Sequence, residues 1–312
     1  MNNASTLSSS TLDVSALLEA ILREMRLLDR TATTALNVDE SPDQFTVKVT
    51  GVDSAVTQEV TGSGFILDKN PQANGTTEYV VATAAHVADA IQQKGLITTS
   101  DGVAHSITNI VKPKANADGT VTDVAFISFK VNQGGAVYAP VQLTTADVGD
   151  KIVIAGFPED TSSSYTESKG SIVDTNEPSI SKEKYTGQTV ISQVAVSSGD
   201  SGSASYEQIG GTWYANGLTS LRIETKNGGE FAGSVSTATI ATLYKDLTGD
   251  NSVKVQTSQE ITAAAQTNSS FIALTTMMSD PQFNAPDAQV SSVYTNAMVD
   301  SIYAAIVAAN PA

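Results

Sequence analysis

The chain has no cysteine among its 312 residues. Disulfide bridges and thiolate zinc sites are therefore excluded, and an intracellular origin fits without being required. Histidine is almost as scarce: only His86 and His105 occur, so a histidine-rich metal centre is excluded and no metal or other cofactor is expected. Basic residues are few as well, with 17 Lys plus Arg against 33 Asp plus Glu and a formal charge of −16. So acidic a surface is repelled by phosphate backbones and anionic lipid, which argues against nucleic acid and membrane as partners. No apolar run approaches the ~20 residues of a membrane-spanning helix. The start, from Met1 to Leu7, shows neither the basic region nor the apolar region of a secretory signal. A cytoplasmic or virion-associated protein is the expectation.

What is present divides into three stretches. In residues 1–43, Val14, Leu18, Ile21, Met25 and Leu28 are spaced by four, three, four and three, the seam of a short amphipathic helix. So short a helix is marginal alone. Its apolar face must dock on its own chain, pair with a second copy or bind another protein. Residues 31–43, with Asp39, Glu40, Ser41, Pro42 and Asp43, read as a linker. Residues 44–249 change to short apolar strands such as 79–83, 124–129 and 151–157. They are punctuated by turn pairs such as Asn74-Gly75, Asp118-Gly119 and Gly134-Gly135. Many short strands with such turns predict a mainly β sandwich or barrel architecture. Residues 237–246 read as a helix with Ser236 as its N-cap. In the tail, 250–312, Val290, Tyr294, Ala297, Met298, Ile302, Tyr303 and Ile306 trace a second helical stripe. Helical extensions at both ends point to a homo-oligomer or a larger assembly.

The chemistry centres on Gly199-Asp200-Ser201-Gly202. Glycines around a serine hold its hydroxyl clear of the backbone and let main-chain N–H groups converge where an oxyanion would form. Upstream, a strand delivers His86 between small residues, Ala84, Ala85, Val87 and Ala88, so its imidazole can reach across an interface. Asp123 stands at the mouth of the following strand, where a carboxylate can be buried and held rigid enough to orient an imidazole. His105, in a turn-like context, reads as a surface residue, and Asp118, in a polar loop before Gly119, is the weaker acid.

The order His86, Asp123, Ser201 resembles the trypsin-like (chymotrypsin-fold) serine peptidases and, among them, the disulfide-free HtrA-like branch. The motifs around the three residues carry the resemblance. Thr61 to Ile66, the run from Val148 to Pro158 and Ala215 to Ser220 support it as strands in register. About two thirds of the chain is covered. The resemblance implies two six-stranded antiparallel β-barrels, with His86 and Asp123 on the first and Ser201 on the second. It also implies a serine endopeptidase acting on polypeptides, with Ser201 as nucleophile, His86 as general base, Asp123 as orienter and the N–H groups of Gly199 and Ser201 as the oxyanion hole. By register with the nucleophile, Ala195 falls at the base of the P1 pocket, with Ser220, Leu221 and Arg222 along its side. An alanine there disfavours a basic P1 and suits a small or apolar one, while Arg222 could favour acidic residues.

Three departures stand beside the resemblance. Ser203-Ala204 replace the family's Gly-Pro. Asp200 lacks an activation-like junction upstream to supply an amino terminus, so it needs another partner. No PDZ-like segment follows. An alternative reading keeps the same module as a structural or interaction protein of an assembly such as a phage virion.

Overall fold

The computed structural model describes residues 41–53, 58–91, 95–177, 180–182, 184–226 and 228–266. The helical stripes expected at 14–28 and 290–306, and any assembly through them, lie outside the described residues. Pro42 opens a one-turn helix, α1 (Pro42–Phe45), at a position where a missing N–H is harmless. The first lobe then runs through β1 (Thr46–Asp53), β2 (Gln58–Pro71), β3 (Thr77–Thr83), helix α2 (Ala85–Ile91), β4 (Leu96–Thr98), β5 (Ala104–Ser106), β6 (Asn109–Val111), β7 (Val121–Thr122) and β8 (Ala125–Val131). The second comprises β9 (Gln142–Thr144), β10 (Lys151–Gly156), β11 (Thr166–Asp174), β12 (Ile180–Lys182), β13 (Tyr185–Gln193), β14 (Ala204–Ile209), β15 (Thr212–Glu224) and β16 (Glu230–Ser236). Helix α3 (Thr237–Thr248) and β17 (Val255–Gln256) follow.

The architecture is mainly β, as expected. In the second lobe β16 pairs with both β15 and β13, closing β13-β11-β10-β14-β15-β16 into a six-stranded ring. The first lobe is a seven-stranded sheet ordered β5-β4-β1-β2-β3-β8-β6. Here His105 departs from its expected surface position. Its ring, half-buried, stacks on Phe129 of β8 at 4.6 Å and its Nε2 lies 3.2 Å from the Tyr138 hydroxyl, so it packs side chains across from β5 to β8. Asp118 does stay exposed, its carboxylate accepting from Thr120 within its own loop.

Strand β3 lies between β2 and β8, and its continuous run Tyr79-Val80-Val81-Ala82 is buried on both faces. One apolar core joins the lobes. It contains Phe65, Val81 and Phe126 of the first sheet together with Tyr206, Leu218, Val235 and, from α3, Ile240 and Tyr244. Each such large side chain contributes about 1.5–3 kcal/mol by leaving water. Helix α3 starts where expected, with the Ser236 hydroxyl accepting from the Thr239 N–H, and ends at Gly249 in left-handed conformation. Its Tyr244 hydroxyl donates to Asp68 on β2 at 2.7 Å. Beyond it, β17 adds in parallel to β9.

Candidate functional site

His86 is the second residue of α2, immediately after β3 ends. The helix lies close on the sheet because Gly62 of β2 carries no side chain: a Cβ there would stand 2.5 Å from a Val87 methyl. Asp123 lies between β7 and β8. Because β7 pairs in parallel with β13 of the second sheet and the Asp123 N–H donates to the Thr186 carbonyl at 2.9 Å, both lobes fix this residue. Its carboxyl is 1% exposed. One oxygen accepts from the His86 backbone N–H at 3.0 Å; the other lies 2.8 Å from His86 Nδ1 and also accepts from the Ser220 hydroxyl. A carboxylate offers no proton, so Nδ1 carries the hydrogen and the neutral ring presents its lone pair at Nε2.

Ser201 sits in the turn between β13 and β14. Gly202, at φ +89°, makes that turn possible: a Cβ there would lie 2.2 Å from the Ser63 carbonyl oxygen and 2.4 Å from Thr83 Oγ1. The turn is fastened to the opposite lobe. The Ser63 N–H donates to the Ser201 carbonyl at 2.8 Å, and the Ser63 hydroxyl donates to the Gly199 carbonyl at 2.7 Å while accepting the Phe157 N–H at 2.9 Å. Ser63 was not singled out in the sequence, although it lies inside the strand motif from Thr61 to Ile66.

A trans peptide points its carbonyl and its N–H in opposite directions. The Ser198 carbonyl accepts from the Glu159 N–H at 2.7 Å and the Asp200 carbonyl from the Ser203 N–H at 2.9 Å. The N–H groups of Gly199 and Ser201, on the far sides of those two peptides, therefore face away from these partners. Neither makes a hydrogen bond among the described residues.

Asp200 has the partner it needed within its own turn: its buried carboxylate accepts the Ser197 N–H at 2.9 Å. Burial pushes this carboxyl up to about 6, the Ser197 hydrogen bond opposing the shift and the nearby Asp160 carboxylate adding to it. Ser203, in the place of the family's glycine, is buried and donates its N–H to the Asp200 carbonyl.

His86, Asp123, Ser201, Ser220, Leu221 and Arg222 all line one cleft of about 280 Å³, joined by Tyr185, Gln188, Val196 and Thr219. Two expectations change. Ala195 is exposed and does not line the cleft; in the segment that follows β13, Val194 and Val196 are buried instead, and Val196 lines the cleft. Arg222 does line it, but its guanidinium is held by Glu224 at 2.7 Å and Glu230 at 2.8 Å, so its charge is already answered. Tyr185 is an addition. Its ring lies 5.6 Å from that of His86, and its hydroxyl donates to Asp89 at 2.6 Å, one turn beyond His86 on α2. Lys112 and Lys184 flank the same carboxylate. Among the described residues no group of three or more His, Asp or Glu side chains could hold a metal ion, and no helix is long and apolar enough to cross a membrane.

The model of the trypsin-like peptidase domain matches residues 62–213. The chain is similar in structure to the active form of the Rv3671c protease from M. tuberculosis, at 17% identity and a TM-score of 0.50, over 66% of this chain and 82% of that one. It also matches the serine endoprotease from Yersinia pestis at 18% identity and a TM-score of 0.46, over 69% of each chain. No curated protein sequence matches it.

Proposed function

We propose that the chain, which matches the model of the trypsin-like peptidase domain over residues 62–213, is a serine endopeptidase whose triad is Ser201, His86 and Asp123. The supporting observation is the meeting of an oriented imidazole and a glycine-flanked serine at one cleft, with two unengaged N–H groups in the turn that carries the serine. Ser201 Oγ attacks the carbonyl carbon of the scissile bond as its proton passes to His86 Nε2. Asp123 keeps the ring in the tautomer that can accept that proton and stabilises the imidazolium that results. The negative oxygen of the tetrahedral intermediate takes hydrogen bonds from the N–H groups of Gly199 and Ser201, each such donor contributing about 3–4 kcal/mol in comparable sites. The intermediate collapses as His86 returns the proton to the departing amine. Water then repeats the sequence on the acyl-enzyme and releases Ser201.

The cleft suits an uncharged P1 side chain. Both carboxylates that line it, Asp123 and Asp200, are engaged, so a lysine or arginine would find no counter-ion. The ion-paired Arg222 likewise leaves no cation for an acidic residue. A fluorophosphonate probe tests the reading: the folded protein is expected to label, and Ser201→Ala is expected not to. A blank with wild-type protein whose circular dichroism shows intact β structure refutes the peptidase and favours the interaction module.

A further inference from the structure

The proton inventory around Asp123 fixes the orientation of a buried amide. Asp123 only accepts, so the Ser220 hydroxyl spends its one proton on it. Ser220 must then accept in turn, and it does so from Gln188 Nε2 at 2.6 Å. Gln188 Oε1 is consequently turned away from Ser220, with its lone pairs unused. Gln188 is 1% exposed, and Oε1 has no hydrogen-bond partner among the described residues. Thr219, 2% exposed, repeats the pattern. Its N–H donates to the Ser203 carbonyl and its carbonyl accepts from the Gly202 N–H, yet its hydroxyl has no partner among the described residues. Both side chains line the cleft with Ser201. The buried hydroxyls of Ser192, Ser203 and Ser234 are unpartnered too, but they do not line it.

A buried polar atom without a partner destabilises the fold, and a ligand that completes the hydrogen bond recovers the loss. Here one atom can only accept and the other can donate. We propose that Gln188 and Thr219 form a subsite for a primary carboxamide, so that the peptidase prefers substrates with glutamine or asparagine at P1. The NH₂ of the substrate amide donates to Gln188 Oε1, and its carbonyl accepts from the Thr219 hydroxyl. Val196 and Leu221, which also line the cleft, supply apolar contact for the methylene stem. An apolar P1 would leave both polar atoms without partners, and a hydroxyl side chain would satisfy them less completely. This specificity rests on the peptidase reading and narrows the uncharged P1 given above.

The test uses one peptide series differing only at P1, with Gln, Asn, Leu, Glu or Arg, on full-length protein whose active sites are counted with the fluorophosphonate probe. The expected kcat/KM for the better amide exceeds that for Leu by about tenfold or more, since sites built to hydrogen-bond a polar group discriminate strongly against its loss. Thr219→Val removes the hydroxyl without disturbing the Gln188–Ser220–Asp123 chain, and it should shrink the Gln-to-Leu ratio by about tenfold. A second readout needs no turnover. Ser201→Ala should bind acetylated peptides ending in Gln or Asn more tightly than the Leu peptide. Labelled enzyme that cleaves the Leu peptide as fast as both amides overturns the subsite and leaves the peptidase standing. Absent labelling overturns the peptidase, and equal affinities of Ser201→Ala for amide and Leu peptides then overturn the subsite separately.

Discussion

Replacing Asp200 by asparagine should alter how the stability of the protein depends on pH. Asp200 is 5% exposed, and its carboxyl moves from an ordinary 3.8 to about 6 in the folded chain. Below 3.8 it is protonated whether the chain is folded or not. Between 3.8 and about 6 the unfolded chain releases the proton while the folded chain retains it, so stability falls as pH rises. Above that window the loss is complete, at about 3 kcal/mol from ~1.4 kcal/mol per pH unit of displacement. Asn has the same shape, can still accept the Ser197 N–H through its carbonyl and does not titrate. Urea unfolding, followed by the fluorescence of the lone tryptophan, Trp213, would be measured for both proteins near pH 4 and near pH 7.5. Relative to wild type, Asp200→Asn should gain about 2–3 kcal/mol between the acid and the neutral measurement. Taking the difference between the two proteins removes the contribution of Glu207, which burial also pushes up, to about 7. A difference that stays the same at both pH values would refute the argument, because Asp200 would then titrate alike in the folded and unfolded chain.

Other expectations follow from contacts in the same region. Ser63→Ala strips partners from the Phe157 N–H and the Gly199 carbonyl, and should lower stability by about 2–4 kcal/mol and kcat by roughly tenfold as the oxyanion turn loosens; unchanged urea midpoint and kcat would remove Ser63 from the machinery. Gly202→Ala forces a side chain into left-handed backbone and against the Ser63 carbonyl, for about 2–5 kcal/mol in a thermal melt; a wild-type melting temperature contradicts the geometry of the turn. Tyr185→Phe cuts the tie to Asp89, and should lower kcat/KM about threefold to tenfold while stability shifts by only about 1 kcal/mol. If kcat/KM stays at the wild-type value, the tie does not position His86 or the substrate.

The strands and helix α3 were legible in the sequence because their signals are local. A continuous apolar run marks β3, and Ser236 and Gly249 bracket α3 at its two ends. His86, Asp123 and Ser201 stood out for the same reason, each within a short motif of small residues, strand start or glycines. Residues whose significance depends on a distant partner did not. Ser63 meets Gly199 across 136 positions of chain, Tyr185 meets Asp89 across 96 and Gln188 meets Ser220 across 32, and only the closed fold brings them together. Ala195 failed differently. Its distance from Ser201 along the chain was sound, but alternation along the segment hands the cleft to Val196. His105 lies in a polar stretch whose sequence carries no hint of the Phe129 ring beneath it.

The paired hydrogen bonds of Ser63, reaching from the first lobe to the carbonyls of Gly199 and Ser201, make the shape of that turn depend on both lobes. The second ring by itself would hold the serine yet lack the clasp on the turn around it, and the first lobe by itself would hold His86 and Asp123 without the serine. On the proposed peptidase reading, hydrolysis therefore requires both lobes to be docked.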